Sequence, residues 1–535
     1  MVCSSESSVS NDKKAGSQRQ RGPAFGVSVV VVNSLLSGKK SYNQNVIRRL
    51  AGYQRRPLNP YKSGTVGLWP SAKRGRADLE RADLVIEHGH VITLDAEGRR
   101  IPDGTIAVRE GRVIAVAPWA ETRGRFSAGR VIDASGKYVF PGLINTHIHS
   151  FQTLLKGLGR DEPLLDWLAA SIRPVAPMLD EEATYLGAAV ACIESIRSGA
   201  TTVVDYNYAH PRPGLQDVVI KAFADVGVRG VHARSFSDRV FGEGAGPLVQ
   251  PPEVFLADID RLAAKYGGDD MVDIWMGPSA LWNMTEAGLK ETAEFAADRG
   301  LPVTMHIDET GVDDEDSLAR FGRKALPYLA DIGLLNERFL AVHCVHLDAD
   351  DIEVLRGSGA KVSHNPASNM ILGSGVAPVD VLLEAGVTVS LGTDGAASND
   401  SQDMLETMKL TALLQKVTRR DPGVVGAEQV VHMATLGGAR ALGKEGLIGS
   451  LEVGKAADLF VYDPLRAKSS PLHDPVAALV YSSGESNICT TVVAGRVVLE
   501  DGVVKGVDEA DILRRAQRKA TDLVRRSPGR PRSAA

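Results

Sequence analysis

From residue 140 to about residue 440 short apolar strands alternate with helical stretches, and this alternation restricts the possible folds more than any other feature of the chain. The segment "EEATYLGAAVACIESIRS" runs to Gly199 and gives way to "ATTVVDY"; "LQDVVIKAFADVG" stops at Gly227 before "VRGVHARS". Later, "DADDIEVLRGSG" leads into "AKVSHNP" and "VDVLLEAG" into "VTVSLGTDG". Each helical stretch ends on a glycine, the residue that most easily takes the left-handed conformation closing a helix. About three hundred residues of strand and helix predict an α/β fold, a (β/α)8 barrel of the TIM type, with active-site residues at the C-terminal ends of the strands. A doubly wound open sheet is the rival, but it calls for a glycine-rich phosphate loop after the first strand, and none follows.

The flanks read differently. "ADLVIEHGHVITLDAEGRRIPDGTIAVREGRVIAVAP" breaks into short strands at Gly89, Gly104 and Gly111, with "REGR" as a hairpin turn. "GSLEVGKAADLFVYDP" and "NICTTVVAGRVVLEDGVV" repeat the pattern near the other end, with a similar turn at Ala494-Gly495-Arg496. Residues 82–140 and 445–505 are therefore expected to complete one small β-sandwich beside a barrel spanning 141–444, with 506–535 a basic helical tail.

Residues 1–80 are expected to be a disordered basic extension, since residues 1–76 hold about fourteen Lys and Arg against two acids. The net charge of the whole chain is −5, so the remainder is acidic, which argues against a nucleic-acid partner. The longest apolar run, "GVSVVVVNSLLSG", is too short for a bilayer and contains Asn33, and no membrane partner is expected. Cys3, Cys192, Cys344 and Cys489 lie far apart without a CxxC spacing, which predicts free thiols and a cytoplasmic location.

"VFPGLINTHIHS" supplies the chemistry. In a strand, residues two apart face the same way, so His147 and His149 can both point into the mouth of a barrel. Either could instead be a hydrogen-bonded core histidine. The chain holds twelve histidines, however, and His306 in "LPVTMHIDE" and His343 in "FLAVHCVH" also fall at predicted strand ends, as does Asp394 in "VTVSLGTDG". That recurrence points to a metal site.

Together "PGLINTHIH", "HCVHL", "VSHNPASNM" and "LGTDGAASND" make residues 82–505 resemble the amidohydrolase superfamily, in the branch of deaminases and triazine hydrolases related to cytosine and S-adenosylhomocysteine deaminases. The resemblance implies that His147, His149, His306 and Asp394 bind a divalent metal. Binuclear members place a lysine at the end of the fourth strand; "VDIWMGPSALW" has none, so one metal ion is expected. Zinc suits these ligands, with iron or manganese as other occupants. A divalent ion lowers the pKa of its water from about 15.7 toward 7, and the resulting hydroxide is the expected nucleophile. The resemblance further implies that Glu309 shuttles a proton to the ring, that Asp394 takes the water proton, and that His343 stabilises the attacking oxygen. Asp308 and the later acids of "HIDETGVDDEDS" read as a solvated loop, and His346 as structural.

Gln152 matches an HxHxxQ pattern of heterocycle hydrolases, and Trp167 matches a pocket tryptophan of the family. Asn365 and Asn369 read equally as substrate contacts and as turn residues. Two departures concern a sugar: Gly277-Pro278-Ser279, followed by Trp282, stands where nucleoside deaminases carry Gly-Pro-His, and Ala176 replaces a ribose-binding glutamate. The expected activity is hydrolysis at a ring carbon of a nitrogen heterocycle, as an amidohydrolase of cyclic amidines that releases ammonia, with chloride release a variant. Gln152, Trp167, Ser279, Trp282, Asn365 and Asn369 are the expected substrate contacts. Deamination of S-adenosylhomocysteine or 5′-methylthioadenosine is the alternative; an inactive scaffold on the same fold is a third reading. The expected partners are a small heterocycle and water, and the resemblance implies a homodimer or larger assembly.

Overall fold

The computed structural model describes residues 79–528; the extension expected over 1–80 and the last seven residues lie outside them, apart from Leu79 and Glu80. Eight strands run parallel and in sequential order: Leu143–Ile148, Ala200–Asn207, Arg229–Phe236, Val272–Pro278, Val303–Ile307, Phe339–His343, Lys361–His364 and Val389–Leu391. Most of their residues are buried, as expected of strands covered on both faces.

The last strand has only three residues, and side chains complete its junction with the first. Thr146 Oγ1 lies 2.9 Å from Ser390 Oγ and donates to Leu391 O at 2.9 Å. Asn145 Nδ2 donates to Thr393 Oγ1 at 2.8 Å while its Oδ1 accepts from Thr393 N at 3.0 Å, and Asp394 N donates to His147 O at 2.9 Å. The residues that close the barrel thus also fix Asp394 against the strand carrying the HxH pair.

The helices start and stop where local chemistry directs. Asp180 caps Glu181–Arg197 by accepting from Ala183 N, and Gly199 follows at φ +87°. Asp348 and Asp351 form a capping box at the start of Ala349–Ser358.

The strands from the two flanks form one nine-stranded sheet. Its long strand Glu80–Ile92 pairs with Phe126–Asp133 along its first part and with Tyr138–Pro141 near its end, its pairing with Arg100–Arg109 shifting register around Gly89. Leu84, Ile86, Ile106 and Val108 share an apolar cluster with Leu459, Val461 and Val492 from the other flank. The Glu110-Gly111 turn and the Ala494-Gly495 turn have positive φ at both residues, the geometry of tight hairpins. The two turns lean on each other: a Cβ on Gly111 would lie 2.9 Å from Ala494 O.

Arg229, the first residue of the third barrel strand, joins barrel to sheet by a two-pronged pair with Asp458 at 3.0 and 3.1 Å, both side chains buried. The helix Glu509–Arg526 docks on Glu181–Arg197 through Lys519–Asp180 and Arg515–Glu182. Among the described residues no helix is long and apolar enough to cross a membrane, and Cys192, Cys344 and Cys489 are free and buried; Cys3 lies outside them.

Candidate metal and active site

His147, His149, His306 and His343 all sit at or beside the C-terminal ends of barrel strands, and Asp394 lies three residues past the eighth. His147 Nε2 is 3.4 Å and His149 Nε2 3.2 Å from Asp394 Oδ1, and His306 Nε2 is 3.3 Å from His149 Nε2. The ligand atoms of His147, His149 and Asp394 lie within 4.8 Å of one another, as do those of His147, His306 and His343.

The surroundings decide which ring nitrogens are free. His149 Nδ1 faces Tyr206 O at 2.6 Å and His306 Nδ1 faces Ser279 O at 2.7 Å. A carbonyl oxygen accepts only from an N–H, so both protons sit on Nδ1 and both Nε2 lone pairs point inward. Two lone pairs 3.3 Å apart repel each other unless a cation lies between them. His147 is fully buried with neither ring nitrogen hydrogen-bonded, an expensive state for a polar ring that ligation would relieve. Burial pushes His147 down to about 4 and His306 well below its ordinary range, so both stay neutral and able to ligate near pH 7. These residues fit a divalent metal ion.

Glu309 lies beside this cluster. Burial first, and the Asp394 charge second, push its carboxyl up to about 8. Its Oε2 is 3.6 Å from His343 Nε2, and His343 Nδ1 is 2.9 Å from Asn369 Oδ1. His343 (φ +74°), Cys344 (φ +51°), Asp308 (φ +47°) and Asp394 (φ +62°) are all in the left-handed region, a strained arrangement for non-glycine residues that recurs at functional sites.

A cavity opens from these groups. Gln152, Trp167, Ser279 and Trp282 line it together with His149, His306, Glu309, His343 and Asp394. Gln152 Nε2 donates to Tyr208 Oη at 2.7 Å, and Trp167 Nε1 donates to Ala397 O at 3.2 Å, which fixes its ring on the wall.

Two sequence expectations need correction. Asn365 and Asn369 do not line the cavity: Asn365 is fully buried next to Gly392, and Asn369 is turned toward His343. The Asn-Pro turn tucks both under the seventh strand end. Nor are Asp308 and Asp313 solvated. Both are 1% exposed, and burial raises both carboxyls, because Asp308 directly follows the fifth strand and Asp313 lies in the first turn of an inward-packed helix, Val312–Phe321. Asp313 itself reaches the cavity. His346 is held by Ser374 O at 2.8 Å, a structural contact.

Sequence reasoning passed over Arg173, Tyr208, Arg239 and Phe241, which also line the cavity. Tyr208 had a usable signal, since it stands two residues beyond Tyr206 at the end of "VVDYNY" and so repeats the spacing of His147 and His149. Arg239 and Phe241 come from the loop after the third strand, where no periodicity marks them.

Residues 138–498 match the profile described as "Amidohydrolase family". A curated relative, 5-methylthioadenosine/S-adenosylhomocysteine deaminase of Syntrophobacter fumaroxidans, is 39% identical over 82% of this chain and 97% of its own length. Among solved structures, an adenosine deaminase from Xanthomonas campestris with bound zinc superposes with a TM-score of 0.78 at 31% identity, covering 84% of this chain and 99% of that one. Atrazine chlorohydrolase TrzN from Arthrobacter aurescens, complexed with zinc, gives a TM-score of 0.74 at 26% identity, covering 82% of this chain and 99% of that one.

Proposed function

Because this chain belongs to the amidohydrolase family, we propose that it is a zinc-dependent aminohydrolase that replaces the exocyclic amino group of a nitrogen heterocycle by oxygen, the 6-aminopurine of a nucleoside being the first substrate class to try. The observation that carries this reading is the convergence of His147, His149, His306 and Asp394 at the mouth of a cavity whose wall holds the buried Glu309. The relative named for 5-methylthioadenosine and S-adenosylhomocysteine and the adenosine deaminase neighbour support a nucleoside, although Ser279 and Ala176 depart from the sugar contacts of that branch. Zinc matches the imidazole and carboxylate donors and is the metal of both neighbours described above. Buried, unpaired thiols support a reducing compartment such as the cytoplasm.

His147, His149, His306 and Asp394 would hold the ion, whose role when bound is to acidify water so that attack is feasible near neutral pH. The protein supplies the proton path. Glu309, neutral below about pH 8, gives its proton to the ring nitrogen beside the amino-bearing carbon as water oxygen bonds to that carbon. Asp394 accepts the proton that the water loses. When the carbon–nitrogen bond breaks, that proton leaves with the amino group as ammonia, and the new hydroxyl proton returns to Glu309 as the ring carbonyl forms. His343, whose Nδ1–H donates to Asn369 Oδ1, presents its Nε2 lone pair to the tetrahedral centre and accepts from the hydroxyl formed there. Trp167 covers the flat ring, and Gln152 meets its edge.

The test is ammonia release by the zinc-loaded protein from 5′-methylthioadenosine, S-adenosylhomocysteine, aminated pterins and aminotriazines, with chloride release from atrazine scored in parallel. Ammonia from at least one aminated ring is expected. Fully metal-loaded protein that releases none would overturn the reading, and chloride alone would replace it by dechlorination.

A further inference from the structure

Four arginines that are buried or lie on the cavity wall differ in one respect. Arg229 pairs with Asp458, Arg234 with Asp258 and Arg239 with Asp316. Arg173 has no carboxylate within ion-pairing distance among the described residues. It is 6% exposed, and its Nη1 and Nη2 donate to Glu243 O at 2.8 Å and Phe241 O at 2.9 Å. Gly242 makes that embrace possible, because a Cβ there would lie 2.6 Å from Nη1. Two carbonyl dipoles compensate a buried cation only in part, and burial depresses its pKa accordingly. A guanidinium has five N–H donors and two are used here, so Arg173 stands on the cavity wall with donors to spare.

Glu309 and Asp394 stand with the histidines, and Tyr208 feels both of these acids as well as Arg173. Arg173 makes no hydrogen bond or ion pair with either acid and is tied instead to Phe241 and Glu243 of the loop after the third strand. Three residues on, Ala176 is fully buried and apolar where the resemblance puts an acid that holds a sugar. Ala176 offers no hydrogen-bond partner, so Arg173 is the charged group that this segment brings to the cavity wall.

We propose that Arg173 binds an anionic group, a carboxylate or a phosphate, carried by the substrate on the side of the heterocycle away from the departing amine. The inference rests on the deaminase reading and narrows it to acidic substrates. Its alternative is a purely structural clamp, in which Arg173 only ties its own segment to the loop Phe241–Glu243.

Paired substrates that differ only in the anionic group separate the two. Ammonia release is measured for 5′-methylthioadenosine against its S-carboxymethyl analogue, for adenosine against adenosine 5′-monophosphate, and for pterin against pterin-6-carboxylate. Wild type should favour the acidic member of at least one pair in kcat/KM, through KM. Arg173→Gln should cut that acid-to-neutral ratio by about 10–100-fold, the strength of a charge-assisted hydrogen bond, and Arg173→Lys should restore part of it. The pair that responds distinguishes carboxylate from phosphate. Zinc content and thermal unfolding of both variants identify any that fail to fold, in which case the wild-type ratio and its loss in high salt decide. Equal use of both members by wild type, or an unchanged ratio in Arg173→Gln, would overturn the inference while leaving deamination intact. Absence of ammonia from every pair, while S-adenosylhomocysteine or an aminotriazine is turned over, would overturn the inference alone; absence from all of these would bring down the deaminase reading and this inference with it.

Discussion

Glu309 lies three residues after a strand-end histidine, yet it is removed from water and carries its proton at neutral pH, so its neighbours rather than its place in the chain define its chemistry. Glu309→Gln keeps the shape and removes the exchangeable acid. It should retain stoichiometric metal and lose about 10²–10⁴-fold in kcat, as read from ammonia release and elemental analysis of the same sample. His147→Ala, by contrast, should lose metal and turnover together, since one missing donor degrades the whole coordination set; a purified variant with full metal content would contradict that. At this scale the sequence made the inward-facing histidines legible, because two-residue spacing in a strand has one geometric meaning. The same spacing marks Tyr208 after Tyr206, whereas Arg173 carries no such signal and only the folded chain brings it to the same cavity.

Elements were legible to the extent that their signals are local. Glycine after each helix and apolar runs between them mark strands and helices in order, and the observed barrel strands follow that reading. Burial of a polar loop is not local. "VSHNPASNM" contains the same Asn-Pro cue whether its amides meet a ligand or the protein interior, and in the fold Asn369 serves His343. "IDETGVDD" likewise looks like a solvated helix start, until packing on the sixth strand's exit covers Asp308, whose carbonyl accepts from Val345 N at 2.9 Å and His346 N at 3.0 Å. Asn369→Ala should leave metal content unchanged and lower kcat by about 10–100-fold, the range found when a partner that orients a functional imidazole is removed. Steady-state kinetics at saturating substrate would show it, and an unaltered kcat would mean that His343 is held by other contacts.

Across the molecule, the barrel and the flanking sheet share the Arg229–Asp458 pair, and its removal should be felt globally. Asp458→Ala leaves a guanidinium buried without its counter-charge and should lower unfolding free energy by about 3–5 kcal/mol in urea titrations. Stability of the metal-free protein should also depend on pH in two opposite ways. Burial lowers His147 to about 4 and His364 to about 3, so below their ordinary value of about 6.5 the unfolded chain takes up protons that the fold refuses. Their contribution is intact above that value and lost as pH falls through 4 toward 3. Glu309 works the other way: its raised pKa gives a contribution present in acid and lost as pH rises from about 4.5 through 8. Unfolding midpoints of chelator-treated protein should therefore fall on both sides of about pH 6, and a flat profile would count against the buried neutral state of these groups.

The paired hairpins at Gly111 and Gly495 set a timetable for the newborn chain. Roughly 380 residues separate them, and at translation speeds of about 5–20 residues per second the leading hairpin spends about 20–80 s waiting for its partner. Throughout that interval Leu84, Ile86, Ile106 and Val108 lack the strands that will cover them. On the ribosome, this protein must shelter its oldest strands until its youngest arrive.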